Sequence, residues 1–243
     1  MITEIATFSL LTPADLSDPS SPTTSIIRAF LSAILAADGG AHAAFFGQSV
    51  EKADTVVLFI DWDSAEAHRQ FLASPAYAAI AAPLLALINP TTPVQILHVP
   101  AIPHALLGEQ DDINVAEVVF FYIRSSLTAA ETANVMATLD TLRPALEKSE
   151  AKGVCEGWAE EEGVEYGDSD GREGGCKVLV SVVGWESLEA HLRMVEEEEE
   201  FGGNKAVIMG IEGLRGVEVF HVGLMRVQEG RMRGYLERGG CLY

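Results

Sequence analysis

Residues 60–68 read IDWDSAEAH, and residues 183–191 read VGWESLEAH. The tryptophan, serine, glutamate, alanine and histidine of the first segment recur in the second at a constant spacing of 123 residues. The same spacing relates VQILHV at residues 94–99 to VEVFHV at residues 217–222. Self-similarity at a fixed spacing is the signature of a duplicated structural unit. The chain therefore contains two copies of one domain.

Two further alignments show where the copies differ in length. EIATF at residues 4–8 matches EVVFF at residues 117–121 with a spacing of 113, and GQS at residues 47–49 matches GWA at residues 157–159. Because the later segments are 123 residues apart, the second copy carries an insertion before its last strands. We accordingly predict a first repeat at residues 1–100, a linker at 101–112, a second repeat at 113–224 with an acidic loop insertion at 159–175, and a C-terminal tail at 225–243.

Each copy has the pattern β-α-β-β-α-β, and two of its strands decide how the copies combine. Residues 55–60 and 178–183 are apolar at both alternating positions, whereas a strand with one face in water alternates apolar and polar residues. Both faces of these strands must therefore be covered. Two sheets that face each other, with the helices outside, give that cover, so we predict an α+β fold closed as an eight-stranded barrel.

Polar residues mark where the helices begin. Asp63 is predicted to cap the second helix of the first repeat, because it precedes the first helical turn. Residues 128–150 are predicted to form one helix, which starts with a capping box of Thr128 and Glu131.

The composition is that of an acidic globular protein, with 48% apolar residues and a net charge of −20. Such a charge argues against nucleic-acid partners, whose binding needs cationic side chains, and against anionic membrane surfaces. The apolar stretch at residues 76–88 is too short to span a bilayer. The N-terminus lacks the basic residues of a secretory signal, and three cysteines are too few for a disulfide scaffold. We therefore expect a cytoplasmic protein, and a barrel that closes within one chain allows it to be a monomer.

The run GQSVE at residues 47–51, and the later run W-D-S-A-E-A-H-x-x-F-x-x-S-P-x-Y at residues 62–77, resemble the dimeric α+β barrel superfamily. The resemblance is strongest to its antibiotic-biosynthesis-monooxygenase-like and stress-responsive barrel proteins. It covers residues 2–99 well and residues 114–224 more loosely. It implies two ferredoxin-like repeats that form an intrachain version of a barrel normally built by two chains.

That superfamily includes cofactor-free quinone-forming monooxygenases, heme-degrading enzymes, polyketide cyclases and decarboxylase-like proteins. The resemblance implies a cofactor-independent enzyme of specialised metabolism, which oxygenates or cyclises a hydrophobic aromatic or polyketide-like small molecule without a metal. The alternative is a non-catalytic stress-related or ligand-binding barrel. A barrel cavity of a few hundred Å³ with convergent polar groups favours the enzyme, and a packed interior would contradict an enzyme that works inside the barrel. Heme binding is a third hypothesis.

His98 and His221 are the predicted catalytic residues. They occupy equivalent positions on the last strand of each repeat, and His98 shares a strand face with Val94 and Ile96. If this face looks into the barrel, the interior holds two imidazoles, which titrate near neutral pH and serve as general bases. The alternative is a buried histidine hydrogen-bonded to a backbone carbonyl.

His68 and His191 occur after each helix start, among apolar neighbours. We interpret them as packed core residues, because a structural requirement is duplicated together with the fold; heme ligation is the functional alternative. Trp62 and Trp185 end a strand just before these helices. Packing at that junction is the favoured interpretation, and an indole N–H that points at a substrate is the alternative for Trp62.

Four further residues are predicted to bind substrate because the two repeats differ there. Tyr122 aligns with Ser9, Arg124 aligns with Leu11, and Gln48 aligns with Trp158. Polar and aromatic contacts in one half only would give an asymmetric pocket, in which Tyr122 and Arg124 stabilise a phenolate or enolate oxygen. The alternative explanation of these differences is ordinary sequence divergence at half-exposed positions.

The remaining features indicate surface structure. The acidic run at residues 156–173 is predicted to be a solvated hairpin loop, and residues 196–200 a solvated helix face or loop. Cys155 and Cys176 flank the hairpin, where the strand register could place them side by side; we expect free thiols.

Overall fold

The computed structural model describes residues 1–108, 112–167, 175–197 and 205–226. The first repeat contains β1 (Ile2–Ser9), α1 (Pro22–Ala36), β2 (Ala41–Ser49), β3 (Thr55–Trp62), α2 (Ala65–Leu72), α3 (Pro75–Leu85) and β4 (Gln95–Pro100). A 3-10 helix at His104–Leu107 leads into the second repeat. The second repeat contains β5 (Val115–Arg124), α4 (Ala129–Asp140), α5 (Arg143–Lys148), β6 (Gly153–Trp158), β7 (Cys176–Trp185), α6 (Leu188–Glu197) and β8 (Leu214–Arg226).

All eight strands join one antiparallel sheet in the order β4-β1-β3-β2-β8-β5-β7-β6. The two repeats meet where β2 pairs with β8. The outer strands β4 and β6 approach each other, and the Glu160 N–H donates to the His98 carbonyl at 2.8 Å across this second seam. The predicted α+β fold of two ferredoxin-like repeats in one nearly closed barrel is therefore confirmed.

The two faces of the doubly apolar strands contact different surroundings. Val57 and Phe59 of β3 point into the barrel, where they belong to the same apolar core as Val180 and Val182 of β7. Their neighbours on β3, which include Leu58, point outward under the helices. The barrel interior is thus a packed apolar core, as the pattern of these strands requires.

Several local predictions are resolved by the structure. The Thr128–Glu131 capping box is confirmed, but the predicted helix at 128–150 is two helices, interrupted around Leu142 ahead of a proline. The cap of α2 is Ser64, whose side chain accepts from the Ala67 N–H, and not Asp63. Asp63 instead pairs with His42 at 2.7 Å, so its carboxylate is turned away from the helix start.

The strand register does not place Cys155 and Cys176 side by side, and both are free thiols as expected. Cys155 pairs with Val182 in the β6–β7 ladder, whereas Cys176 lies at the start of β7 opposite Arg124 of β5. Within the described residues, no helix combines the length and the apolar character that a membrane crossing needs. The centre of the predicted acidic loop, the acidic run after α6 and the tail beyond residue 226 lie outside the described residues.

Candidate functional site

His98 and His221 point outward from the barrel, beneath the helices. On β4, Leu97 and Val99 belong to the barrel interior, so His98 between them lies on the opposite face. On β8, Val222 is likewise an interior residue and His221 is not. The expected placement of an imidazole in the barrel interior is therefore wrong. The physical reason is hydrogen bonding: the helix side supplies polar partners for a buried imidazole, whereas the interior at these strands is packed with apolar side chains.

The first His–Glu cluster consists of Glu4, Trp62, His68, His98 and Glu161. The His68 Nδ1 and His98 Nε2 atoms are 2.8 Å apart. The Trp62 Nε1–H donates to Glu4 Oε2 at 2.7 Å, and the same oxygen is 3.4 Å from His68 Nδ1. The His68 ring stacks on the Trp62 indole with a centroid distance of 4.7 Å. The other side of His98 meets Glu161, with 2.6 Å between His98 Nδ1 and Glu161 Oε1.

The second His–Glu cluster consists of Glu117, Trp185, His191, His221 and Glu51, in the same arrangement. His191 Nδ1 and His221 Nε2 are 2.7 Å apart, and the Trp185 Nε1–H donates to Glu117 at 3.0 Å. Glu51 contacts His221 Nδ1 at 2.5 Å. The imidazoles are buried in both clusters. The duplication thus extends to a complete hydrogen-bonded group and not only to single residues.

Strand register and helix capping bring each cluster together. Glu4 on β1 stands directly opposite His98 on β4, and Glu117 on β5 stands opposite His221 on β8. Trp62 ends β3, next to β1. The Ser64 cap fixes the start of α2, so His68 follows one turn later and faces the sheet together with Phe71.

Burial sets the electrostatics of the first cluster. Removal from water raises the pKa of Glu4 to about 7, and the Trp62 hydrogen bond opposes the shift. Removal from water also lowers the pKa of His68 to about 4, with the nearby His98 acting in the same direction. Burial would raise the pKa of Glu161, but the hydrogen bonds from the His98 ring and backbone outweigh it and lower the pKa. The cluster therefore combines an ionised outer carboxylate with an inner carboxyl that titrates near neutrality.

The second cluster repeats part of this pattern. Burial lowers the pKa of His191. Burial would raise the pKa of Glu51, and the hydrogen bonds from His221 lower it overall.

A cavity of about 90 Å³ lies between the sheet and the helices of the first repeat. Glu4, Trp62, His68 and Tyr77 contribute polar groups to its wall, which is otherwise apolar. Leu72, Leu85 and Val94 line the same cavity and are 36%, 54% and 45% exposed, so an apolar rim connects it to the surface. This cavity lies outside the barrel core, which corrects the prediction of a pocket inside the barrel. It is smaller than the few hundred Å³ expected from the sequence.

Each cluster also offers one carboxylate and two imidazoles, whose donor atoms lie within 4.8 Å of one another. This donor set suits zinc or iron. However, the facing imidazole nitrogens are 2.8 Å apart in the first cluster and 2.7 Å apart in the second. Two nitrogens on one tetrahedral zinc ion would be about 3.3 Å apart, given bonds of about 2.05 Å. The spacing fits a shared hydrogen better than a shared metal ion. Heme ligation is disfavoured because both imidazoles of the first cluster are buried and hydrogen-bonded to each other.

Two of the predicted substrate-binding residues lie away from this cavity. Tyr122 is on the interior face of β5, where its hydroxyl donates to Glu218 at 2.9 Å and its ring stacks on Tyr166; burial raises its pKa. Arg124 pairs through Nη2 with Glu131 at 2.6 Å and with Glu212 at 3.2 Å. The structure therefore does not bring either residue to His98 or His221, and the expected shared contact with a ligand oxygen is wrong.

The aligned pair of Gln48 and Trp158 also has local roles. Gln48 accepts from the Leu16 N–H at 3.0 Å and donates to the Ala14 and Ala53 carbonyls, which fastens two loops to β2. Trp158 packs beside the second-repeat core around Leu179, and its buried Nε1–H has no partner among the described residues. Of the predicted substrate-binding residues, Trp62 alone lines the cavity described above.

Sequence reasoning missed the four carboxylates of the clusters. Glu4 and Glu117 are aligned by the 113-residue spacing, and Glu51 and Glu161 by the 110-residue spacing that relates residues 47–49 to 157–159. Four glutamates that recur with the histidines were thus visible as aligned pairs. The signal that could have found them is the recurrence of a charged residue beside strands that are otherwise apolar.

Comparison with known proteins agrees with this architecture. Residues 24–83 match the family model described as antibiotic biosynthesis monooxygenase. An anthrone oxidase-like protein of known structure is 12% identical, with a TM-score of 0.64 over 93% of this chain and 91% of its own. A protein of Fusobacterium nucleatum, provisionally named a monooxygenase, is 11% identical, with a TM-score of 0.55 over 93% of this chain and 92% of its own. No curated protein sequence matches the chain. At these identities the structural matches show the shared fold.

Proposed function

We propose that the chain is a cofactor-independent enzyme of specialised metabolism, which oxygenates or cyclises an aromatic or polyketide-like substrate in the first-repeat cavity. The observation that carries the proposal is Glu4, a buried carboxyl with a pKa of about 7 on the wall of an apolar cavity. A general base is most effective when its pKa is close to the working pH. The match to the antibiotic biosynthesis monooxygenase family and the anthrone oxidase-like structural neighbour support the same reaction class.

The proposed chemistry begins with proton abstraction from an acidic C–H or phenolic O–H. Ionised Glu4 takes the proton, and Trp62 holds one of its carboxylate oxygens through the 2.7 Å hydrogen bond. With an anthrone as substrate, the carbanion then reduces molecular oxygen, and loss of water gives the quinone. The balance is one anthrone plus one O₂ to one anthraquinone plus one water, so the substrate itself supplies the electrons. With a polyketide-like substrate, the same deprotonation gives an enolate that closes a ring.

The apolar wall contributes in a second way. It excludes water from the ionised substrate and favours a flat hydrophobic ligand. Because a tricyclic ligand needs more room than about 90 Å³, binding requires an outward movement of rim residues such as Leu85. His98 does not line this cavity, so its proposed catalytic contribution is made through His68. The proposed catalytic contribution of His221 is likewise made through its hydrogen-bonded partner His191.

The experiment is oxygen uptake with anthrone as the probe compound, in the presence of EDTA, together with absorbance of the anthraquinone product. The proposal expects enzyme-dependent uptake of one O₂ per quinone, and loss of that uptake in Glu4→Gln. Uptake that disappears with EDTA would contradict cofactor independence. Anthrone probes only oxygenation, so a parallel assay follows cyclisation of a poly-β-ketone thioester.

The alternative of a non-catalytic ligand-binding protein is favoured by the packed barrel interior. Its signature would be saturable quenching of tryptophan fluorescence by anthrone without turnover in either assay, since Trp62 lines the cavity.

We further propose that the protein is a cytoplasmic monomer. Its barrel is nearly closed within one chain, so light scattering should give a mass near 26.1 kDa.

A further inference from the structure

Glu161 belongs to the second repeat but completes the cluster of the first. Its Oε2 accepts from the His98 backbone N–H at 2.8 Å, and its Oε1 lies 2.6 Å from His98 Nδ1. The preceding residue, Glu160, donates its backbone N–H to the His98 carbonyl at 2.8 Å. Three contacts thus hold the ring, the amide and the carbonyl of one histidine from across the seam between β6 and β4.

The reciprocal arrangement exists at the other seam. Glu51 of the first repeat contacts His221 Nδ1 at 2.5 Å, and its Oε2 accepts from the His221 backbone N–H at 3.1 Å. Val50 donates its N–H to the His221 carbonyl at 2.8 Å. Because Glu51 and Glu161 are related by the repeat, the same exchange is formed twice from diverged sequences. A chance contact would not be expected to recur in this way.

The contact determines where the protons of the cluster reside. An ionised carboxylate only accepts hydrogen bonds, so Glu161 fixes a proton on His98 Nδ1. In neutral His98 the Nε2 atom is then unprotonated, and its lone pair accepts a hydrogen bond from the Nδ1–H of His68 across 2.8 Å. His68 is consequently held as the Nδ1–H form, with its ring packed on Trp62. The carboxylate therefore sets the tautomers of two imidazoles, the second of which lines the cavity with Glu4.

We propose that Glu161 is a positioning residue for the first-repeat cavity, so that the site of one repeat is complete only when the other repeat is docked on it. The catalytic consequence rests on the proposed function, whereas the tautomer assignment does not. Glu51 has the equivalent role for His191 and His221. The two seams of the barrel are thus also parts of the two sites.

The test compares Glu161→Ala with the matched variant Glu51→Ala in the full chain, using long-range ¹H–¹⁵N NMR of the imidazoles. In the wild type, His98 and His68 should both give the shifts of a pure Nδ1–H tautomer. Glu161→Ala should move both toward averaged tautomer shifts and leave His221 unchanged; Glu51→Ala should do the reverse. Glu161→Gln, whose amide oxygen still accepts from Nδ1–H, should restore much of the wild-type pattern. Far-UV circular dichroism and thermal melting confirm that each variant is folded.

Turnover of anthrone supplies the second readout. Glu161→Ala should lower kcat at least tenfold with less than a twofold change in KM. The loss of kcat in Glu51→Ala should be at least fivefold smaller, because the substrate cavity lies in the first repeat. Unchanged His98 and His68 shifts in folded Glu161→Ala would overturn the proposal, as would a wild-type kcat in a Glu161→Ala protein whose His98 and His68 shifts had moved. A wild-type protein that turns over no substrate but shows the expected shifts contradicts the proposed function and supports the positioning role.

Discussion

The two repeats carry the same residue types at all five positions of their His–Glu clusters but hold them in different surroundings. In the first repeat, the side chain of Glu4 is 6% exposed and lies 3.4 Å from His68. In the second, the side chain of Glu117 is 13% exposed, and its Oε2 lies 3.8 Å from His191 Nε2, whereas Glu4 Oε2 approaches Nδ1 of His68. The tryptophan hydrogen bond also lengthens from 2.7 to 3.0 Å. The cluster of the first repeat is therefore the tighter and drier of the two.

The cover over the clusters differs more than the clusters themselves. In the first repeat, α3 lies over the cavity and contributes Tyr77, Ala81 and Leu84 to its wall. In the second, Trp185 packs with Val115, Ala190 and Met194. The residues aligned with the start of α3 have become an acidic run. Duplication thus preserved the hydrogen-bonded group, and within the described residues an apolar roof of helix side chains lies over the first cluster and its cavity.

The largest expected difference between the repeats is in activity. Glu4→Gln should lower kcat for anthrone about 10²–10⁴-fold, because the amide keeps the Trp62 hydrogen bond but cannot accept a proton. Glu117→Gln, the matched variant, should leave kcat within about twofold. His98→Ala should likewise lower turnover more than His221→Ala. Similar losses in both members of a pair would show that the two clusters act equally and would remove the asymmetry.

The next largest effect is on stability. Trp62 and Trp185 are both almost fully buried, so replacement of either by alanine should lower the free energy of unfolding by about 3–5 kcal/mol. Trp62→Ala should lie at the upper end, because it leaves the more deeply buried carboxyl without its indole donor. Urea denaturation at pH 7 measures both values. A milder effect of Trp62→Ala than of Trp185→Ala would contradict the tighter packing of the first cluster.

The elevated pKa of Glu4 predicts a pH-dependent term in stability. Its pKa rises from 4.5 to about 7 on folding, so the folded state binds the proton more tightly than the unfolded state. The stabilisation is complete below pH 4.5 and is lost as the pH rises through 7, by about 3 kcal/mol. Between pH 4.5 and 7.5, the wild type should therefore lose about this much free energy of unfolding relative to Glu4→Gln.

The free energy of unfolding is measured against pH for the wild type and for Glu4→Gln, and one curve is subtracted from the other. The subtraction is needed because the titration of His68 changes the stability in the opposite direction. Its pKa falls to about 4 in the folded protein, so its contribution is lost as the pH falls below 6.5. Both proteins retain His68, and this part cancels to first order. A difference between the two curves that does not change with pH would show that Glu4 titrates in the folded protein as it does in water.

The fold could be predicted from the sequence because duplication left several aligned segments, and because strands such as residues 55–60 are apolar on both faces. The same property prevented the prediction of where the site lies. Where both strand faces are apolar, alternation does not indicate which one meets the helices, so His98 could not be oriented. Its partner Glu161 lies 63 residues away in an adjacent strand hairpin, and that contact depends on how the barrel closes. Register and closure are tertiary properties, which a pattern of residue types does not specify.

The two seams between the repeats, β2–β8 and β4–β6, can be compared in the same way, and the expected difference in stability is smaller. A Cβ atom at Gly47 would lie 2.5 Å from the Gly223 carbonyl oxygen, whereas one at Gly157 would lie 2.6 Å from Cδ of the Pro100 ring. Backbone in a paired strand moves less readily than a ring at the end of β4. We expect Gly47→Ala to cost about 2–3 kcal/mol and Gly157→Ala about 1–2 kcal/mol in urea denaturation. The reverse order would indicate that the β4–β6 seam is the more rigid one.

The smallest expected effects come from the helix caps beside the clusters. Ser64 accepts from the Ala67 N–H at 3.1 Å, and Ser187 accepts from the Ala190 N–H at 3.3 Å. Each serine satisfies a helix N–H that would otherwise lack a partner, so its replacement by alanine should cost about 1 kcal/mol. Ser64→Ala should cost slightly more, since its hydrogen bond is shorter and α2 has only eight residues. Threonine at either position keeps the hydroxyl and should restore most of the stability. If alanine and threonine gave equal stabilities at position 64, the start of α2, and with it the position of His68, would be held by packing against Trp62 and not by the cap.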